Sequence, residues 1–438
     1  MRAQQLRRLP HKVAPMNSGK RLHIIIVLIG IAIFLSQTVP LSLSPRHDND
    51  FKHIYLGMKT LVDGGSPYSI ASMENALKES GLRPDTPLNP YVYLPFTGLS
   101  FAPLYSLNIR QASNCMLWAN ILATLLALWF IAQACHGKTS LAPSPHLLPL
   151  AFAALCAITG AAHPLMRTLT AGQLNCILLL CISIAFLLIQ RNRALIAGTI
   201  LGYAAMFKIA PFIFAIYLLL TRNFKALLAM LITAFILLMG SVLICGIDTH
   251  ADFLPMLRDM SYGKSTWHEF GNIFWKDATN QSLNSFFTHI MVADNGIATP
   301  WVNLTQSAAN IATWIASLCL IVIFVICAHR ARTSQTQEAA FHLALLLGLL
   351  FPSLLWDHYI LLTILPVWWL IAHTCTNKRY ITAFLLFILL GSLFMPWHFQ
   401  APMFCQGLPV VCMSLKLWPL LILYFYLSFI IVKSKVKD

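Results

Sequence analysis

Two aspartates stand two positions apart in a polar segment that follows the first hydrophobic run of the chain. Asp48 and Asp50 come just after the apolar stretch from Leu22 to Leu43. Two carboxylates can bind a hard metal ion through their oxygens, whereas a single carboxylate can accept a proton from a hydroxyl as a general base. A three-residue pattern is weak support for a metal. We therefore favour a general base, with Asp50 as the first candidate and Asp48 in reserve.

One lysine interrupts an otherwise apolar stretch between Ala194 and Thr221. A charge inside the membrane is costly unless it is paired or hydrated. Pro211 lies three residues after this lysine, Lys208, and breaks the helix so that its backbone can meet a ligand. The ammonium group could bind the phosphate of an anionic substrate. The alternative is a lysine that extends its charge to the membrane surface.

A histidine is held between two apolar runs in the sequence Trp356-Asp357-His358-Tyr359. The short connection leaves no room for a long loop, so His358 must lie near the membrane surface. Its ring can donate a hydrogen bond or a charge to a phosphate. The alternative is a belt of aromatic residues at the membrane surface with one incidental polar residue.

The composition identifies the elements that carry these residues. The 438 residues are 58% hydrophobic and 10% charged, and the mean hydropathy is +0.70. Soluble domains contain about 25% charged residues. Apolar runs of about 20 residues cross a bilayer as helices, because a helix satisfies its own backbone polar groups. We predict an all-α polytopic membrane protein, residues 1–438 forming one domain with about eleven to thirteen transmembrane helices.

The distribution of charge predicts the orientation of these helices. A net charge of +15 is explained by lysine and arginine collecting in cytoplasmic loops. All acidic residues except Glu338 and Asp438 fall in predicted outer segments. An apolar piece from Leu94 to Leu107, interrupted by prolines, is predicted to be interfacial or re-entrant. The predicted segments outside the spans are the basic cytoplasmic ends 1–21 and 433–438 and the outer loops 44–112 and 247–307.

A series of short motifs runs in order between residues 45 and 366. They are Asp50-Phe51 with Tyr55, Gly64 to Tyr68, Tyr91 to Pro95, Pro103-Leu104, Gly172 to Asn175, Ala197-Gly198, Lys208 to Pro211, Asn280 to Leu283 and Ser353 to Tyr359. Together they resemble glycosyltransferase family 87, the polyprenyl-phosphate-mannose-dependent mannosyltransferase-like membrane proteins of the GT-C superfamily. The sequence departs from the family pattern where Ile209 and Ala210 separate Lys208 from Pro211, because the family usually has proline directly after this lysine.

The resemblance implies a GT-C fold with an outward-facing cavity, in which a sugar passes from a polyprenyl phosphate to an acceptor hydroxyl with inversion at the anomeric carbon. The acidic residue of the family's first outer loop falls on Asp50, its motif lysine on Lys208 and its late histidine on His358. A phosphate is a good leaving group, so the reaction needs a base for the hydroxyl and cations or donors for the phosphate. We expect no metal and no other cofactor.

Polar residues at the ends of predicted spans complete the expected site. We place Arg167 and Arg110 with Lys208 and His358 around the donor phosphate. The expected partners are the polyprenyl-phosphate sugar, a glycolipid or glycan acceptor and membrane lipids, in a bacterial inner membrane with the active side toward the periplasm. The predicted substrate pocket consists of Tyr55, Tyr91, Tyr93, Gln173, Asn175, Asn280, Gln281, Asp357 and Tyr359.

Two other functions remain open from the sequence. A transporter or flippase of lipid-linked sugars would place its polar residues near the middle of the bilayer, in paired broken helices. An enzyme like an O-antigen ligase would centre on outer arginines and a histidine, and Arg110 and Arg167 are compatible with it. The sequence does not indicate which sugar or acceptor is used. Pairing of Cys405 with Cys412, which share one predicted outer loop, is also left open.

Overall fold

The part of the chain that the structure describes is almost entirely helical. In this computed structural model it comprises residues 18–43, 50–83, 88–136, 147–264, 279–293, 298–397 and 401–434. Within these ranges there are α-helices and 3₁₀ turns, with two isolated β-bridges and no strand. The predicted all-α class is confirmed. Asp48 and most of both predicted cytoplasmic ends lie outside the described residues.

Seventeen α-helices follow one another in the described ranges. They are α1 Ser18–Thr38, α2 Phe51–Val62, α3 Ile70–Glu79, α4 Pro95–Leu99, α5 Ile109–His136, α6 Leu147–Gly160, α7 His163–Ala171, α8 Asn175–Gln190, α9 Ala194–Phe207, α10 Ile213–Leu220, α11 Phe224–Asp259, α12 Leu283–Met291, α13 Gln306–Arg330, α14 Ser334–Leu350, α15 Ile364–Thr376, α16 Tyr380–Phe394 and α17 Leu417–Lys433.

Several of these helices are long and apolar enough to cross a membrane. Five meet the length and hydropathy of a span by themselves, and the number rises to 7 if each of two bent pairs forms one span. The pairs bend by 64° between α6 and α7 and by 72° before α17. Four shorter apolar segments accompany them: α8, α9, the stretch that ends with α10, and α16. The polytopic membrane class is confirmed, and the larger number of spans stays a prediction.

Three tight basic turns join neighbouring helices. Asn192 links α8 to α9, Arg222 links α10 to α11 and Lys378 links α15 to α16. Each has a positive φ, between 57° and 60°, a backbone conformation uncommon outside glycine that lets the chain reverse within three residues. Because α9 starts from such a turn, Lys208 at its far end lies away from this basic side.

The core of the molecule is built around α14, most of whose residues are buried. This helix packs against α10, α13 and α17. The ring of Phe341 lies 4.5 Å from that of Phe214 on α10 and 5.0 Å from that of Phe186 on α8, measured between centroids. Aromatic pairs at these distances add to the stabilisation from burial. A helix fixed so firmly gives a rigid start to the loop that follows it, residues 351–356.

The described part of the predicted first outer loop, 44–112, folds back onto the apolar helices through its own short helices. The buried ring of Tyr91 lies directly against Gly57 on α2, where a Cβ would collide with it. Thr97 on α4 donates a hydrogen bond to the carbonyl oxygen of Phe207, 3.1 Å away, at the end of α9. The loop that begins with Asp50 is therefore tied to the segment that begins with Lys208.

Candidate functional site

A large cavity, here called the central cavity, lies where the predicted first outer loop meets the helix ends. Its volume is about 1120 Å³. Its lining comes from the first outer loop, the α7–α8 connection, the break between α9 and α10, and the loop after α14. We call one group of lining residues the polar end. These are Asp50, Tyr93, Arg167, Gln173, Asn175, Lys208, Asp357, His358 and Tyr359, all of them predicted site residues.

Asp50 lies at the start of α2, and its carboxylate makes no capping bond to that helix. Gln173 Nε2 donates to Asp50 Oδ2 over 3.0 Å. The amide is oriented from its other side, because the Tyr93 hydroxyl donates to Gln173 Oε1, also over 3.0 Å. Burial raises the pKa of Tyr93 well above its ordinary value, so the hydroxyl remains a donor. Among the described residues, the other oxygen of Asp50, Oδ1, has no hydrogen-bond partner.

Gln173 and Asn175 enter the cavity because the chain turns sharply after α7. Gly172 ends this helix with a φ of 66°, in the left-handed conformation that glycine adopts without strain. Asn120 on α5 donates to the carbonyl oxygen of Gln173 over 3.0 Å and fixes the turn. Two residues apart on one rigid segment, Gln173 contacts the carboxylate and Asn175 contacts the lysine described next.

Lys208 follows the last residue of α9 and is half-buried. Its ammonium group donates to Asn175 Oδ1 over 3.2 Å. The same group lies 3.7 Å from the centroid of the Tyr359 ring, in cation–π contact. Within the described residues no carboxylate lies within ion-pair distance of it. A cation held only by neutral groups at a cavity wall is suited to bind an anion.

His358 lies in the 3₁₀ segment Asp357–Thr363 and is buried. Its backbone oxygen accepts a hydrogen bond from Thr168 over 3.4 Å. Its ring atom Nε2 has no hydrogen-bond partner among the described residues. Buried polar atoms are nearly always satisfied, so an unsatisfied atom on a residue that lines the cavity is a candidate contact for a ligand.

Asp357 has very different neighbours from Asp50, although both line the central cavity. Lys416 Nζ lies 2.7 Å from Asp357 Oδ1. His163 Nδ1, at the start of α7, lies 3.4 Å from Oδ2. Lys416 is completely buried. Sequence analysis missed it, although a lone lysine beside the last apolar run carries the same signal that identified Lys208.

Asn280 and Gln281 do not line the cavity but anchor the loop behind it. Asn280 Oδ1 accepts a hydrogen bond from the backbone nitrogen of Leu355 over 2.9 Å. Gln281 Nε2 donates to the carbonyl oxygen of Met413 over 2.9 Å, and Gln281 Oε1 accepts from the backbone nitrogen of Lys416 over 3.0 Å. The motif therefore ties the loop after α14 to the segment before α17.

Three other predicted site residues also lie outside the cavity lining. Arg110 is exposed at the start of α5. Tyr55 is buried and donates to the carbonyl oxygen of Leu107 over 2.8 Å, while Tyr91 donates to that of Leu94 over 3.2 Å. Both tyrosines stabilise the first outer loop. Arg167, in contrast, is exposed at the cavity wall on α7.

A second part of the lining, here called the apolar arm, runs down into the helices. Trp314 and Val325 on α13 are eleven residues apart, which corresponds to about 16 Å of helix, roughly half the thickness of a bilayer core. Trp314 and Val325 are 52% and 38% exposed and Ile216 on α10 is 43% exposed, so this part of the wall is only partly covered by the rest of the protein. The apolar arm consists of Ile213, Ile216, Trp314, Ile321, Phe324 and Val325.

Two possibilities were left open by the sequence: a metal ion bound by Asp48 and Asp50, and a disulfide between Cys405 and Cys412. The described residues of the chain contain no group of three or more His, Cys, Asp or Glu side chains that could hold a metal ion. Asp48, the partner of Asp50 in the metal hypothesis, lies outside them. Cys405 and Cys412 are both present as thiols, and Cys405 Sγ contacts the carbonyl oxygen of Ala401. The possible disulfide between them is not formed.

Comparison with known proteins finds one family and two characterised relatives. The profile of glycosyltransferase family 87 matches residues 91–357. A protein of Mycobacterium tuberculosis is 25% identical over 360 residues, covering 81% of this chain and 73% of the relative. One from Mycolicibacterium smegmatis is 27% identical over 209 residues, covering 47% and 46%. Each is named a polyprenol-phosphate-mannose-dependent alpha-(1-2)-phosphatidylinositol pentamannoside mannosyltransferase.

Proposed function

The chain belongs to glycosyltransferase family 87, and from this premise we propose that it transfers mannose or another hexose from a polyprenyl-phosphate donor to a hydroxyl of a lipid- or polysaccharide-linked acceptor at the outer face of the membrane. One observation carries the proposal. Gln173 holds Asp50, and Asn175, two residues on, holds Lys208. A carboxylate and an ammonium group thus meet at the same end of one cavity.

The chemistry assigns a role to each of these groups. Asp50 takes the proton from the acceptor hydroxyl while that oxygen attacks the anomeric carbon of the sugar. The bond from this carbon to the phosphate oxygen breaks, and the phosphate leaves with the electron pair. Lys208 and His358 stabilise the charge that develops on it. Attack opposite the leaving group inverts the anomeric centre, and a nearby carboxylate also favours an oxocarbenium-like transition state.

The apolar arm suits the lipid part of such a donor. A polyprenyl chain is hydrocarbon, and its transfer from the bilayer to an apolar wall costs little because both surroundings are apolar. The arm leads from half-exposed Ile216 and Val325 to the polar end. We propose that the chain lies along it while the phosphate faces Lys208. No metal or other cofactor has a role in this reaction.

The arrangement of charges supports an outer, periplasmic location of the polar end. The basic turns at Asn192, Arg222 and Lys378 lie at the opposite helix ends from Lys208. Cytoplasmic loops collect lysine and arginine. We therefore propose a bacterial inner-membrane protein with both termini in the cytoplasm and the polar end of the cavity toward the periplasm.

The test is sugar transfer by purified full-length protein in lipid nanodiscs. Polyprenyl-phosphate mannose is the donor and a membrane extract supplies acceptors. Wild type is compared with Asp50→Asn and with Asp252→Asn, a control that removes an exposed carboxylate outside the cavity. We expect transfer by wild type and the control and its loss in Asp50→Asn. If wild type releases no polyprenyl phosphate from any lipid-linked sugar offered, the transporter hypothesis replaces this one.

A further inference from the structure

A buried ion pair lies beside the proposed phosphate site, with Asp357 in the cavity wall and Lys416 buried behind it. Lys416 is completely buried, and its ammonium nitrogen lies 2.7 Å from Asp357 Oδ1. Buried charges are tolerated when they are paired, and the removal of one partner leaves the other uncompensated. Asp357 lines the central cavity and directly precedes His358. Without Lys416, the negative charge of Asp357 would face the same space as the donor phosphate.

The pair is held by an independent anchor. Gln281 Oε1 accepts from the backbone nitrogen of Lys416 over 3.0 Å. The backbone nitrogen of Gln281 itself donates to the carbonyl oxygen of Leu355 over 2.9 Å. One residue therefore fixes both the segment that carries Lys416 and the loop that carries Asp357. Two charges with positions set in this way lose little conformational freedom when they pair.

The ion pair is also linked through Asp357 to the other groups proposed to bind the phosphate. Asp357, His358 and Tyr359 are consecutive, and the ring of Tyr359 supports the ammonium group of Lys208 at 3.7 Å. A shift of Asp357 would therefore move His358 and the lysine's aromatic support together. His163 adds a second contact to Asp357, at 3.4 Å.

We infer that Lys416 is a positioning residue for the donor phosphate, which it serves by neutralising Asp357 and fixing the loop that carries His358. This inference rests on the proposed function, since it assumes a phosphate-bearing donor in the central cavity. Lys416 does not line the cavity. It acts only through Asp357.

The experiment measures binding of polyprenyl phosphate, the product of the donor, to full-length protein in nanodiscs, together with KM and kcat for the donor. Lys416→Met is expected to raise Kd and KM roughly tenfold or more, because a carboxylate then repels the phosphate. Asp357→Asn removes the negative charge but keeps an oxygen that can accept from Lys416, so it is expected to raise both by less than about threefold. The double variant Asp357→Asn/Lys416→Met should return both to within about threefold of wild type, and Lys416→Arg should preserve them.

The unequal effects of the two single variants separate an electrostatic role from structural damage, which would raise Kd equally in both. Glu338→Gln is the control, since it alters a buried carboxylate bound by Trp369 away from the cavity. The inference is overturned if Lys416→Met binds polyprenyl phosphate like wild type, or if Asp357→Asn raises Kd as much as Lys416→Met does. Should Lys416→Met not fold, Lys416→Gln takes its place, because its amide can still donate to Asp357 but carries no charge. Binding needs no turnover, so absence of transfer in wild type overturns only the proposed function.

Discussion

Two aspartates line the same cavity, and their surroundings give them different capacities. Asp50 is held by a neutral amide, and one of its oxygens has no hydrogen bond among the described residues. Asp357 is held by a buried ammonium group and approached by a histidine. A carboxylate with an open oxygen can accept a proton, whereas one neutralised by a fixed cation serves to organise its neighbours. The partner, not the residue type, distinguishes the proposed base Asp50 from the structural carboxylate Asp357.

The largest expected difference in activity between the two aspartates appears when the charge of each is removed in turn. Asp50→Asn should lower kcat by about 10²- to 10⁴-fold, because a general base contributes that much. Asp357→Asn should lower kcat by less than about tenfold, because the proposed base Asp50 is intact. Initial rates of mannose transfer at saturating donor measure both. Equal losses of kcat in the two variants, with both proteins folded, would show that the comparison is mistaken.

The next largest effect is expected for Lys208, the cation at the same end of the cavity as Asp50. Lys208→Met removes the charge that we propose stabilises the departing phosphate, and it should lower kcat/KM by about 10²- to 10³-fold. Lys264→Met, which removes an exposed lysine outside the cavity lining, is the matched control. Single-turnover release of polyprenyl phosphate measures the effect. A loss confined to donor KM would assign Lys208 to binding alone.

The amide that orients Asp50 offers a smaller test. Gln173→Leu removes the hydrogen bond to Oδ2 and should lower kcat about tenfold, in keeping with the loss of one hydrogen bond to a charged group. Donor KM should change little, because Asn175 still holds Lys208. Gln111→Leu alters an exposed glutamine near the start of α5 and serves as control. A rise in donor KM without a fall in kcat would contradict the role of Gln173 at the base.

The sequence predicted the helical, polytopic class correctly because hydropathy acts locally, whereas the number of spans stays a prediction. Lys208 and the break after α9 were likewise visible, since a charge and a proline in an apolar run violate a local rule. The role of Asn280 and Gln281 was not visible. An amide that binds a substrate and an amide that ties two loops together have the same chemistry, and only the fold distinguishes them.

Lys416 was missed for a related reason. Its partner Asp357 is 59 positions away in the chain, and no local pattern connects the two. The same holds for the bond between Gln173 and Asp50, which are 123 positions apart. Long-range pairs of this kind decide which polar residues are available for chemistry. The sequence identifies polar residues at the ends of predicted spans as candidates. It does not distinguish those available for chemistry from those already paired with another residue.

The smallest expected effect separates two tyrosines that the sequence placed in the same pocket. Tyr93→Phe removes the hydroxyl that orients Gln173 and should lower kcat about threefold, since Asn120 still fixes the backbone there. Tyr55→Phe should leave kcat unchanged and cost about 1 kcal/mol of stability, because its hydroxyl bonds only the loop backbone. Thermal unfolding and initial rates compare the two.

A pH series completes this comparison. Because burial raises the pKa of Tyr93, its hydroxyl stays protonated throughout the neutral and mildly alkaline range. Loss of this hydroxyl should therefore scale the activity profile downward without moving its alkaline limb. A shift of that limb in Tyr93→Phe would mean that Tyr93 itself titrates during turnover. In that case the chain of hydrogen bonds from Tyr93 through Gln173 to Asp50 would carry protons and not only orient the base.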